Sequence, residues 1–178
     1  MKLDYVQALK RINEARGAWI IHGQEPLLEQ NLLDAFRKSW QQQEVERQRH
    51  DISSVNDWKN VFNALNSLSL FSQQLAIEVH GNIKPDANGL KLLKSYIQHN
   101  EHNLLLIVLP KQDSSSLKSA FFQVVEANGV VVQLAAAYPQ DRQRILAIEA
   151  EKLGIQLNHD AWQWLMQHHE HNLLAAKN

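Results

Sequence analysis

Apolar positions along the chain alternate between short unbroken runs and stripes that recur every three or four residues. After an opening helix expected over residues 4–15, Gly17-Ala18-Trp19-Ile20-Ile21-His22-Gly23 is a short apolar run bounded by glycines and predicts a strand. A helix follows at once: Glu25-Pro26 marks its start, because Pro at a first helical position loses no hydrogen bond, and Leu28, Leu32, Phe36 and Trp40 form its buried stripe. The pattern then repeats, with a polar strand over 44–52, a helix over 57–68 carrying Trp58, Phe62 and Leu65, and a strand over 75–79. A helix over 88–99 carries Leu90, Leu93 and Ile97, and a strand covers 103–108. Leu117, Phe121, Val124 and Val125 mark one more helix before a strand over 130–134. Strands alternating with helices at this spacing predict an α/β fold, a parallel five-stranded sheet flanked by helices on both faces.

The alternation ends at Ala135-Ala136-Ala137-Tyr138-Pro139, and the remaining pattern is helical: residues 140–153, 160–169 and a last element starting at Asn172. Gly154 supplies a helix stop, and an Asn or Asp cap near Asn158 opens the next helix. The expected division is an α/β domain over 1–138 and a helical lid over 139–178 that stops within its third helix, a truncated lid. There is no internal repeat and no low-complexity segment. This is the layout of AAA+ nucleotide-switch ATPases, and fold alone does not give function.

Composition narrows the classes. The longest apolar run, Leu104-Leu105-Leu106-Ile107-Val108-Leu109, is far short of the roughly 18 residues of a membrane span, and Met1-Lys2-Leu3-Asp4-Tyr5 carries no export address, so a cytoplasmic protein with no membrane partner is expected. The absence of cysteine excludes disulfides, iron-sulfur clusters, thiolate zinc sites and cysteine nucleophiles. Eighteen Lys and Arg against nineteen Asp and Glu, scattered along the chain, imply no strong field for phosphates, which favours a protein partner over direct nucleic-acid binding.

Candidate chemistry is sparse. A phosphate-binding loop would occupy the first strand-to-helix turn and needs two glycines enclosing four residues, then Lys and Ser or Thr. Here the turn reads His22-Gly23-Gln24-Glu25-Pro26-Leu27-Leu28: the lysine and hydroxyl are missing, Pro26 has no N–H to donate, and Glu25 and Glu29 repel a triphosphate. The loop is a degenerate phosphate loop and no nucleotide cofactor is expected. The strand over 103–108 runs into Pro110 and Lys111 without an acid for magnesium. Glu78 is the remaining candidate and reads as solvated on one face of its strand, and His22 reads as a turn residue. His168, His169 and His171 suggest zinc, but neighbours on a helix point about 100° apart, and a solvated helix end explains them better. Trp40 and Trp58 continue apolar stripes, and Trp162 and Trp164 also fall in helices, so core packing is expected before base stacking. Lys111 stands where related ATPases sense nucleotide and is left without a role.

One segment does not behave like core. In Asn66-Ser67-Leu68-Ser69-Leu70-Phe71-Ser72-Gln73-Gln74 bulky apolar residues sit among small polar ones between a helix and a strand. Connections run over the surface, which makes Leu70 and Phe71 candidates for a protruding plug; a Leu-Phe pair folded back under its own helix fits the same residues as well. The Gly23 to Leu28 turn, this segment, the strand over 103–108, and Ala150-Glu151-Lys152-Leu153-Gly154 leading to Asn172-Leu173-Leu174-Ala175 occur in register over the whole length. Together they resemble the first half of the delta subunit of the bacterial DNA polymerase III clamp loader. The resemblance implies that Leu70 and Phe71 are the two apolar side chains inserted into the sliding clamp, with Leu68 supporting them and Ser69, Ser72 and Gln73 on the rim. It implies no intrinsic enzymatic activity, so that DNA-directed DNA polymerase activity belongs to the holoenzyme it serves, and no cofactor or metal. It further implies the sliding clamp (beta subunit), delta prime and gamma/tau as partners in the full-length protein, and primer-template DNA only through the assembled loader. The family's C-terminal collar domain is expected to be absent from these 178 residues. Two other readings stay open: a degenerate nucleotide-binding ATPase-like domain, and a direct primer-template DNA binder.

Overall fold

The computed structural model describes residues 1–66, 74–99, 102–135, 139–169 and 172–177. Six strands form one sheet in the order β1-β6-β2-β5-β4-β3: β1 (Lys2–Leu3), β2 (Gly17–Gly23), β3 (Glu46–Asp51), β4 (Leu75–His80), β5 (Leu104–Pro110) and β6 (Val130–Leu134). Every pairing is parallel. The expected count of five was one short, because β1 is only two residues long and cannot show a period. It adds to the edge beside β6, with Lys2 opposite Val131 and Leu3 opposite Val132.

Position in the sheet explains each strand's composition. β5 lies between β2 and β4 and is covered on both faces, so Leu104 to Leu109 are all buried. β3 is an outer strand, and its sequence Glu-Arg-Gln-Arg-His-Asp alternates half-buried and exposed. Such a charged edge resists pairing with another chain.

Two apolar layers sandwich the sheet. On one face Trp19 and Ile21 of β2 meet α1 (Tyr5–Leu9) and α2 (Pro26–Gln42), with Phe36 5.5 Å from Trp19 and 5.6 Å from Trp40 between ring centroids. The alternate β2 residues Ala18 and Ile20 face α3 (Asp57–Asn66), α4 (Ala87–His99) and α6 (Ala120–Asn128). There Trp58, Phe62, Phe121 and Phe122 pack ring on ring, and the Trp58 indole donates to the Ile83 carbonyl at 2.9 Å. Trp40 and Trp58 are therefore core residues.

Two helices are shorter than their apolar patterns suggest. Asp4 closes a reciprocal cap with Gln7 that starts α1, but α1 ends at Leu9 and only a 3-10 turn (Ile12–Glu14) continues it. Likewise α5 (Ser114–Leu117), capped by Asp113, is separate from α6 because Ser119 restarts the helix. The C-terminal elements are α7 (Pro139–Lys152), α8 (His159–His169) and α9 (Leu173–Lys177), and Ile145, Leu146 and Leu173 are buried in the same cluster as α1 and α2.

Candidate functional site

The turn from β2 into α2 is built by close strand packing. Gly23 pairs with Leu134 of β6, and a Cβ at Gly23 would lie 2.2 Å from the Leu134 carbonyl oxygen and 2.7 Å from its Cβ. The contact is with backbone, so relief requires β2 and β6 to separate. Gly23→Ala is expected to destabilise the fold by about 1–3 kcal/mol, read as a lower urea midpoint; an unchanged midpoint would show that the strands part freely. Glu25 then takes the N-cap position without a side-chain capping bond, Pro26 opens α2, and Glu29 lies in its first turn. Burial pushes the Glu25 carboxyl up from its ordinary value, and the positive charge of Arg142 partly offsets this. A helix N-terminus favours an anion. Here two carboxylates already stand beside it.

His22 is a strand residue, not the turn residue expected: it lies in β2, is only 4% exposed, and sits edge-on to Phe122 at 5.6 Å. Burial lowers its pKa, which favours the neutral ring.

Glu78 also departs from expectation. Its side chain is fully buried in β4 rather than solvated, because Arg37 of α2, Arg47 of β3 and His80 converge on it. Oε1 accepts from Arg37 Nη2 at 2.7 Å and lies 2.6 Å from His80 Nε2. Oε2 accepts from Arg47 Nε at 3.0 Å and Arg37 Nε at 3.3 Å. Burial alone would raise the Glu78 carboxyl; the hydrogen bonds from His80 and Arg37 and the charges of Arg37 and Arg47 outweigh it and hold the carboxyl well below the usual carboxylate range. Both oxygens are engaged, so the group ties α2 to the β3–β4 edge. An acid inside an otherwise apolar strand run, with arginines in the neighbouring strand and helix, was the available signal for this cluster.

The remaining candidates are peripheral. The His168 ring is stacked on Trp164, with its Nδ1 2.8 Å from the Trp164 carbonyl oxygen; His171 lies outside the described residues. Among the described residues no group of His, Cys, Asp and Glu is placed to hold a metal ion. Lys111 is exposed just past β5, and Trp164 is exposed on α8. Among the same residues no helix is long and apolar enough to cross a membrane.

Leu68, Ser69, Leu70, Phe71, Ser72 and Gln73 all lie outside the described residues. Their frame is described. α3 ends at Asn66, and the chain resumes at Gln74, whose carbonyl accepts from the Glu46 N–H at 3.1 Å, before β4 begins with Leu75 bonded to the Asn103 side chain at 3.0 Å. Both ends therefore sit at the edge where the parallel strands start, opposite the edge that carries the Gly23–Glu25 turn. Phe62, Leu65 and Asn66 of α3 and Leu92, Ser95 and Tyr96 of α4 line a groove beside this frame.

The sequence profile of the family described as DNA polymerase III, delta subunit, matches residues 19–135. The chain belongs to that family. The matched span opens in β2, ends just past β6 and includes residues 67–73. Solved structures agree on the fold. The Bacillus subtilis DNA clamp loader delta protein superposes with a TM-score of 0.70 at 10% identity, over 97% of this chain and 54% of its own. Domain III of the Thermotoga maritima replication initiation protein DnaA gives 0.56 at 12% identity, over 97% of this chain and 78% of its own. A DNA polymerase III gamma subunit-related protein from Thermotoga maritima gives 0.53 at 10% identity, over 97% and 57%. This delta-family chain thus has an AAA+-like α/β fold and spans about half the length of the Bacillus subtilis protein. No curated protein matches it.

Proposed function

We propose that this chain is the part of a cytoplasmic clamp-loader delta subunit that binds the DNA sliding clamp through Leu68, Leu70 and Phe71 and favours opening of one clamp interface, without catalysing a reaction itself. The observation that carries the reading is membership of the delta family over residues 19–135, a span that contains the Leu68-Ser69-Leu70-Phe71 segment. In this reading residues 1–138 are the α/β domain and 139–178 the opening of a helical lid. The partners are the clamp and, in the full-length protein, delta prime and gamma/tau, with primer-template DNA met through the assembled loader.

The β2–α2 turn supports a non-catalytic role. Glu25, Glu29 and Pro26 stand where a phosphate would need positive charge and N–H donors, and the close approach of Leu134 is by itself enough to require Gly23. We read it as a degenerate phosphate loop. Titration with magnesium-ATP is expected to show no saturable binding up to about 1 mM, the concentration at which even a 4 kcal/mol interaction half-saturates. A dissociation constant in the low micromolar range would instead favour a nucleotide-binding domain.

The deciding experiment is binding of the 178-residue chain to the sliding clamp of the same cell, native sequence against Leu70→Ala plus Phe71→Ala, with circular dichroism to confirm the fold. Loss of binding by the folded variant is expected. Undiminished binding, or none by the native chain, would remove the wedge assignment.

A further inference from the structure

Helix α4 carries lysines and no carboxylate in a chain whose formal net charge is only −1. α3 and α4 contain Lys59, Lys91 and Lys94 with His99 at the last position of α4, while Asp57 is the one carboxylate in either helix. Asp57 sits at the far end of α3, accepting from the Ser53 and Ser54 N–H groups, and so does not neutralise the layer near the groove. Lys59, Lys91 and Lys94 are exposed, and none forms an ion pair among the described residues. Within this basic surface Leu92 is 48% exposed, a large apolar side chain at the wall of the groove that Asn66 closes on the α3 side.

Helix geometry narrows the partner. Lys91 and Lys94 are three residues apart and share a stripe, while Leu92, Ser95 and His99 form the adjoining stripe that faces α3. The last turns of both helices meet at this groove, since Leu65 and Asn66 line it together with Ser95 and His99. Helix C-termini present carbonyl oxygens and the negative end of the dipole, which disfavours a chain of phosphates at the groove mouth and favours hydrogen-bond donors. A partner that offers carboxylates to the lysine stripe, donors to the helix ends and an apolar contact to Leu92 is a folded polypeptide surface. An apolar centre ringed by polar groups is also the anatomy of a protein interface.

From this geometry we infer that the α4 face over Lys91, Leu92, Lys94 and Ser95 is a second docking surface, which receives an acidic patch of the same protein that takes Leu70 and Phe71. The inference rests on the wedge reading proposed above and extends it to a described surface. The groove adjoins Asn66, the last described residue before the wedge segment, so one partner reaches both without a change in the fold. The lysine stripe steers the encounter and the wedge anchors it, a division that places the lysines' effect in the association rate and its salt dependence.

The test compares clamp binding of the native chain, of Lys91→Glu plus Lys94→Glu, of Leu92→Ser, and of Leu70→Ala plus Phe71→Ala, at two salt concentrations. Charge reversal is expected to weaken binding about tenfold at low salt and less at high salt, with most of the loss in the association rate. Leu92→Ser is expected to speed dissociation. If the charge-reversed chain binds the clamp within about twofold of native while the wedge variant does not bind, the docking surface is overturned and the wedge stands. If charge reversal weakens binding and the wedge variant does not, the surface stands and the wedge falls. A charge reversal that lowers affinity for primer-template DNA and leaves clamp binding unchanged would make this a nucleic-acid surface and overturn the inference, as would absence of clamp binding by the native chain.

Discussion

Alanine at both Leu70 and Phe71 is expected to weaken clamp binding by about two to four orders of magnitude, since each apolar side chain buried at an interface contributes about 1.5–3 kcal/mol. A nanomolar complex needs about −12 kcal/mol, so in the proposed reading these two side chains would anchor a wider contact. Two consequences separate an anchor from a general hydrophobic attraction. Single truncation of the rim residues Ser69, Ser72 and Gln73 is expected to cost less than about 1 kcal/mol each, because rim groups exclude water and add little energy of their own. The dissociation rate should carry most of the double variant's defect. Titration calorimetry and surface-binding kinetics check both, and comparable losses from rim and wedge variants would contradict the anchor. Opening the clamp sets a further condition, because a ligand shifts a conformational equilibrium only by its difference in affinity for the two shapes. Driving such an equilibrium from 1:99 to 99:1 takes roughly 5.5 kcal/mol, comparable with the wedge's whole contribution. The double variant should therefore fail at opening even at concentrations that restore partial binding.

Periodicity revealed the large elements because burial forces it on them. α2 must present Leu28, Leu32, Phe36 and Trp40 to the sheet, and β5 is covered on both faces, so both patterns are unambiguous. β1 escaped because two residues cannot show a period, and its place was decided by Lys2 and Leu3 finding the open edge of β6. Glu78 was misread for a deeper reason. A lone acid in an apolar strand can be solvated at an edge or buried against cations, and only the fold brings Arg37 from α2 and Arg47 from β3 to the same oxygens. His22 was misread as a turn residue although the expected strand already ran to Gly23, because only the fold shows its ring buried edge-on to Phe122. The segment proposed as the wedge stood out as an anomaly in the sequence, apolar side chains among serines where a connection was expected, and it falls within the family profile over residues 19–135. The basic face of α4 was hidden by the near-neutral total, since Lys91 and Lys94 are balanced by acids elsewhere in the chain.

Glu78→Gln is expected to destabilise the fold by about 2–4 kcal/mol at neutral pH. Removing one member of a buried ion cluster costs about 3–5 kcal/mol when its partners stay buried. Here Arg37 and Arg47 keep 34% and 38% of their side chains exposed and can rehydrate, which lowers the range. For a chain of this size each kcal/mol moves the melting temperature by about 2–4 °C, so a fall of roughly 4–16 °C is expected. Acid pH supplies a second readout that a mere packing defect would not move. The folded-state pKa of Glu78 lies below its ordinary value of 4.5, so its stabilisation is complete above that pH and is lost as pH falls through the more acidic range. The native chain should lose stability over that range, and the variant should lose less because it has no carboxylate at this position to protonate. Urea midpoints measured from pH 7 down to about pH 3 test the sign: equal slopes for the two proteins would mean that the carboxylate contributes nothing through its charge. The same cluster bears on the proposed function, because an acid whose two oxygens are held by Arg37, Arg47 and His80 fastens the β3–β4 edge to α2, and Gln74, immediately before β4, is the first described residue after the segment proposed as the wedge. Loosening that edge should weaken clamp binding in Glu78→Gln even well below its melting temperature, through the frame and not through the contact itself.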